Sequence, residues 1–220
     1  MKLSTPSPQG VMTERQKQHS KLFRGYRDVT QGRTLRDLVI EKGDVQVGRL
    51  IGNVRLPGSF SSQEYFARLM CQADAVLIGT VREKSSNLVD DETFAFTEYG
   101  FVADEVLKNN PAANIPTDTR VTIVRASGVV SILGHVVTAI DYSERPLVVG
   151  DQYLLFLRFI PETDAYRSFS NSLSDDTFKL DHNQITQASD QPLPLGAHRK
   201  TDLNPFLAEV RGGSSNPCSR

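Results

Sequence analysis

Tryptophan is absent from these 220 residues, and all aromatic residues together make up only 8% of them. With so few rings, those present are expected to fill a core rather than form a base-stacking platform. Cysteine is scarce as well. Cys71 and Cys218 are the only two, and neither has a second Cys or a His at ligand spacing, which excludes a zinc motif. No window approaches the roughly 18 uninterrupted apolar residues of a spanning helix. The four histidines (His19, His135, His182, His198) form no i, i+4 pair and no short-spaced cluster. Neither a Gly-x-Ser-x-Gly elbow nor a Gly-Lys-Ser/Thr phosphate loop occurs; Ser127-Gly128 follows a strand but leads into another strand, not a helix. No catalytic, cofactor-binding or metal-binding residue is assigned, and no cofactor is expected.

The charge present is unevenly spread. Residues 1–36 hold an excess of six positive charges, and the remainder an excess of seven negative ones. A basic arm on an acidic body can mark a nucleic-acid contact. Only Phe23 and Tyr26 are interleaved with those charges, and the acidic body speaks against a nucleic-acid face.

The richest stretch is Gly150-Asp151-Gln152-Tyr153-Leu154-Leu155-Phe156-Leu157, a turn signal running into a short apolar run. It predicts a strand buried on both faces, at the centre of a small barrel. Further strands are expected at 75–81, 93–107, 121–125, 129–133, 135–140, 165–169 and around 178–180, with 82–92 a loop or splayed hairpin. Phe94 and Phe96 alternate in one phase and Tyr99, Phe101 and Ala103 in the other, which predicts a bulge beside Gly100. Ser61 and Glu64 stand at capping-box spacing and open a helix carrying Tyr65, Phe66, Leu69, Met70 and Ala73 on one face. A last helix over 202–211 presents Leu203, Phe206, Leu207 and Val210. The fold class is therefore mainly β: an antiparallel OB-like barrel of about six to eight strands, with a helix before the first core strand and a C-terminal helix. The expected organisation is a disordered basic arm (1–33), a poorly defined extension (34–60), the barrel domain (61–213) and a tail (214–220).

Candidate sites are few. Cys71 and Cys218 are a disulfide candidate, which would point to an oxidising compartment. The opening residues Met1-Lys2-Leu3-Ser4 lack the apolar segment of an export signal, which argues the other way: either the protein stays inside, or this start differs from that of the precursor. His135 with Asp141 could serve as base and orienter, against an exposed hairpin histidine. Asp90-Asp91-Glu92 and Asp175-Asp176 could offer calcium oxygen ligands, against solvated loops. Phe94, Phe96, Tyr99 and Phe101 could stack bases, against core packing.

Ala73 to Val81, Phe101 to Lys108 and Val149 to Leu157 together resemble a recurring group of bacterial proteins of unknown function, many of which carry export signals. Their order of elements is similar to the OB-type barrel of netrin-like modules and tissue inhibitors of metalloproteinases, over about residues 60–185. Here Cys71 is internal and the cysteine-rich framework is missing, so the inhibitors' mechanism does not transfer and only the fold does. What the resemblance and the cysteine pair imply is a non-catalytic, periplasmic or secreted module, binding or structural, for an unknown protein or ligand. The alternatives are a nucleic-acid-binding OB-type module using the basic arm, and an enzyme whose site is assembled from sequence-distant residues.

Overall fold

A computed structural model describes residues 11–24, 26–49, 67, 69–142, 144, 146–168, 177–182, 184–187 and 201–214. Its centre is the antiparallel pair β2 (Ala75–Leu88) and β7 (Gln152–Ile160), in register from Ala75 opposite Leu157 to Thr80 opposite Gln152. Strand alternation sends successive side chains to opposite faces, and here both faces are covered. Val76, Ile78, Leu154 and Phe156 face one core; Ala75, Leu77, Val81, Tyr153, Leu155 and Leu157 face another. The apolar run around Gly150 is thus the doubly buried central strand that its composition predicts.

β3 (Ala95–Lys108) pairs with β2, β4 (Arg120–Ala126) with β3, and β8 (Ala165–Ser168) with both β4 and β7. The result is barrel-like, drawn together at β4–β8 by a seam of only two residue pairs, and is not a fully closed barrel. β9 (Thr177–Asp181), β10 (Gln184–Gln187) and β11 (Thr201–Asp202) extend the same eight-stranded sheet beyond β7. A second sheet holds β1 (Val45–Arg49), β6 (His135–Asp141) and β5 (Gly128–Ile132), in that order. Leu133 and Gly134, both at positive φ, make the tight turn of the β5–β6 hairpin. The sheets are not wholly antiparallel: β1 runs parallel to β6, and β8 parallel to β4.

Two expectations about β2 and β3 need revision. The strand does not stop at Val81 but runs to Leu88, because residues 83–88 pair with β3. A bulge does lie beside Gly100, but the extra residue is Arg82 on β2, between the pairs Val81–Phe101 and Glu83–Gly100. The two aromatic phases on β3 arise instead because both faces of that strand are buried. Phe94 and Phe96 enter a core with the N-terminal segment and the small sheet, whereas Tyr99, Phe101 and Ala103 fill the barrel interior.

Within the stretch expected as a disordered arm, residues 11–24 and 26–33 have a defined structure. Helix α1 (Glu14–Lys21) opens on a capping box between Thr13 and Gln16, and a 3-10 turn follows over Tyr26–Thr30. The segment after it is equally defined, with α2 (Leu35–Lys42) boxed by Thr34 and Asp37 and leading into β1. Phe23, Leu35, Leu38 and Val39 are buried. Residues 1–10 and 50–66, including the predicted Ser61 cap, lie outside the described residues. Residues 69–72 are helical and precede β2 as expected. The C-terminal helix, α3 (Leu203–Ser214), buries Phe206, Leu207 and Val210 against β2, β7 and β9, and runs past the expected stop at Gly212.

Candidate functional site: an arginine-lined cleft

The N-terminal segment crosses the barrel where β4 and β8 meet. Phe23 stacks on Phe96 with centroids 5.6 Å apart, and Tyr26 on Phe94 at 4.6 Å. The aromatics that could have received bases are therefore stacked by the chain's own rings, and Phe94, Phe96, Tyr99 and Phe101 are all buried. Beside this contact lies a cleft of about 220 Å³. Its lining includes Arg24, Arg49, Arg125 and Arg167, with Glu144, Tyr26, Ser168 and the apolar Leu22, Phe23, Val124 and Ala126.

Strand geometry explains the most buried of these cations. Val121, Ile123 and Arg125 share one face of β4, so the face that fills the barrel interior ends in a guanidinium. The Arg125 side chain is only 2% exposed and its Nε lies 3.3 Å from Glu144 Oε2. Arg49, at the end of β1, holds its guanidinium 4.3 Å over the Tyr26 ring. Tyr26 donates to Asp141 Oδ2 at 3.4 Å. Burial first, then the nearby Asp141 carboxylate, pushes the Tyr26 phenol up to about 12, so it keeps its proton at neutral pH. Arg24 sits at the rim, with Nε 2.9 Å from Asp90 Oδ1.

The cleft is smaller than the ~300 Å³ at which pockets for drug-sized ligands begin, so it suits one small group rather than a nucleotide cofactor. Its guanidinium groups can present planar, paired donors to an anion in a partly desolvated setting.

The residues singled out from sequence do not converge. His135 lies 3.3 Å from Asp44, while Asp141 is buried at the far end of β6, its amide donating to Ser127 Oγ at 2.7 Å. The proposed base and orienter are therefore not brought together, and Ser127 is a strand-linking residue. Asp90 and Glu92 receive Arg24 and Arg36, and Asp91 accepts from Thr93. The acidic cluster at 90–92 is thus a docking ledge for the N-terminal segment rather than a solvated or calcium-binding loop. Among the described residues no group of three or more His, Cys, Asp or Glu could hold a metal ion. His182 occupies the β9–β10 turn and pairs with Asp181. Among the described residues no cysteine is free. Cys71 lies in the helical turn 69–72, while Cys218, His198 and Asp175-Asp176 fall outside the described residues.

Sequence reasoning missed Arg125 and His19. The first was legible as the next inward position after Val121 and Ile123. The second is wholly buried, between Glu98 and Thr163, and only the Thr13–Gln16 capping spacing hinted at a helix there. Comparison with protein families finds no matching family, and comparison with characterised proteins finds no match either.

Proposed function

We propose that the chain is a non-catalytic binding module of the cell's exterior or envelope, which captures an anionic group of its partner in the arginine-lined cleft. One observation carries this: four guanidinium groups, one of them buried, line a single concavity of a chain whose overall charge is −1. Guanidinium groups gathered in one concavity offer planar, paired donors of the kind that match an anion. The extracytoplasmic setting is supported by the Cys71–Cys218 candidate disulfide and by the resemblance to netrin-like barrels. A thermal-denaturation series with small anions tests the binding, since a ligand of the native state raises the midpoint with concentration. A saturating rise is expected, and it is diminished in Arg49→Gln and Arg167→Gln. Anions that leave the midpoint unmoved refute the module. Thiol titration of the denatured, unreduced protein tests the setting: no free thiol is expected, and two would return the chain to a reducing compartment.

A further inference from the structure

Resting on that reading, we infer that residues 13–24 form a strap whose docking completes the cleft, so that anion binding and strap docking stabilise one another. The cleft has two halves. β4 and β8 supply Val124, Ala126 and Arg167, whereas the N-terminal segment supplies Phe23, Arg24 and Tyr26. Lifting the segment off the barrel removes one whole wall. It also takes away Tyr26, over whose ring the Arg49 guanidinium lies at 4.3 Å.

Side chains fasten the strap, not backbone. Among the described residues, the backbone–backbone hydrogen bonds of residues 13–24 all close within the segment, and none joins it to a strand. The ties are His19 to Glu98 and Thr163, Gln16 Nε2 donating to Glu98 Oε2 at 3.2 Å, and the Asp90 amide donating to Ser20 Oγ at 2.7 Å. Neither His19, Glu98 nor Thr163 lines the cleft, so this lock stands apart from the site it completes. A segment joined without a ladder can leave the barrel while the β2–β7 pairing stays intact, which is a subglobal opening. Once free, the eight residues of α1 are too few to hold a helix in water, and their amides exchange. A ligand that needs the strap's wall binds only the docked state, and so draws the equilibrium toward it.

Hydrogen exchange of the full chain, read at the Leu22 and Phe23 amides, tests this coupling. Both bond within the segment, to the carbonyl oxygens of His19 and Ser20. The probe is whichever of acetate, sulfate and inorganic phosphate raises the thermal midpoint most. Without anion, the two amides are expected to exchange about tenfold or more faster than those of the β2–β7 ladder. With the anion at about ten times its dissociation constant, their exchange is expected to slow about tenfold. Thr163→Val removes one partner of His19 without touching the cleft. It is expected to speed their exchange about fivefold to tenfold, the value of one hydrogen bond, and the anion to slow it again. Amides that exchange no faster than the ladder would show that the segment opens only with the whole fold, and overturn the strap. Unslowed exchange beside a raised thermal midpoint would show that the anion binds without the strap; the coupling then falls and the anion-binding module stands. Exchange unchanged in Thr163→Val overturns the lock at His19. If no anion raises the midpoint, module and coupling fall together.

Discussion

His19 Nδ1 lies 2.5 Å from Glu98 Oε1, joining helix α1 to the first part of β3 across 79 residues of sequence. The other ring nitrogen lies 2.7 Å from the Thr163 hydroxyl, in the turn after β7. Both imidazole nitrogens are thereby satisfied inside a side chain that is 0% exposed. His19→Ala removes this tie and leaves the Glu98 carboxylate and Thr163 hydroxyl short of a partner. A loss of about 1–3 kcal/mol is expected, the cost of unsatisfied buried polar groups. Urea denaturation measures it, and an unchanged midpoint would mean α1 is held by Phe23 and Tyr26 alone.

Glu98 also makes stability depend on pH. Burial works to raise its pKa, but hydrogen bonds from His19 and Gln16, together with the charges of His19 and Arg15, outweigh burial and hold it below its ordinary 4.5. A carboxyl whose folded pKa is depressed contributes stability above its unfolded value and loses it as pH falls through the folded one. The protein is therefore expected to weaken as pH drops below 4.5, and Glu98→Gln is expected to flatten that limb while lowering stability at neutral pH. Parallel acid limbs in the two proteins would assign the loss to other carboxyls.

The barrel was legible in the sequence because its strands announce themselves by local pattern. The 150–157 run, the Gly134 hairpin and the one-sided helix at 203–210 each needed only neighbouring residues, and all three are found. What stayed hidden depends on contacts far apart in sequence. A polar segment such as 13–24 offers one buried apolar side chain, Phe23, and is held otherwise by partners on β3 and in the 90–92 turn. Read alone, those residues look solvated. The cleft was invisible for the same reason, since Arg24, Arg49, Arg125 and Arg167 come from four separate elements.

Lys108 closes the end of the helical turn that carries Cys71. Its Nζ donates to the carbonyl oxygens of Met70 at 2.8 Å, Cys71 at 3.2 Å and Ala73 at 2.6 Å. These carbonyls belong to the open end of a helix, where a cation is favoured. Burial pushes the Lys108 ammonium pKa down, with Asp74 opposing. Lys108→Met keeps the stem and removes the charge, and is expected to cost about 1.5–3 kcal/mol. Hydrogen exchange at the Ala73 amide, bonded to Leu69, should speed up with it; protection equal to the native protein's would deny Lys108 this capping role.

Gly79 is fixed by approach rather than by backbone conformation. It sits at a register irregularity between β2 and β3, and a Cβ there would fall onto the Val102 carbonyl oxygen and the Phe101 ring. Gly79→Ala is expected to cost about 3 kcal/mol or more, at the upper end of overpacking. Adding Phe101→Leu should not rescue it, because the backbone oxygen remains. Gly134→Ala meets open space and should lose about 1–2 kcal/mol, from positive φ alone. Thermal midpoints of the three variants check the ordering, and a stable Gly79→Ala would show that β2 and β3 can separate locally.

The basic arm is expected not to grip nucleic acid, because three of its arginines already face carboxylates. Arg36 forks onto Glu92 at 2.8–3.2 Å, Arg24 onto Asp90, and Arg33 reaches Glu41 on α2. A phosphate backbone must displace these carboxylates before it releases counterions in exchange, so the affinity gained per contact falls. On immobilised single-stranded DNA the protein should elute at low salt. Arg24→Gln with Arg36→Gln should leave that elution position nearly unmoved, and Asp90→Asn with Glu92→Gln should shift it to higher salt by freeing two arginines. Strong native retention that the arginine variants abolish would show instead that the docked arm opens to nucleic acid, and that its contacts with residues 90–92 are a closed state of a phosphate-binding surface.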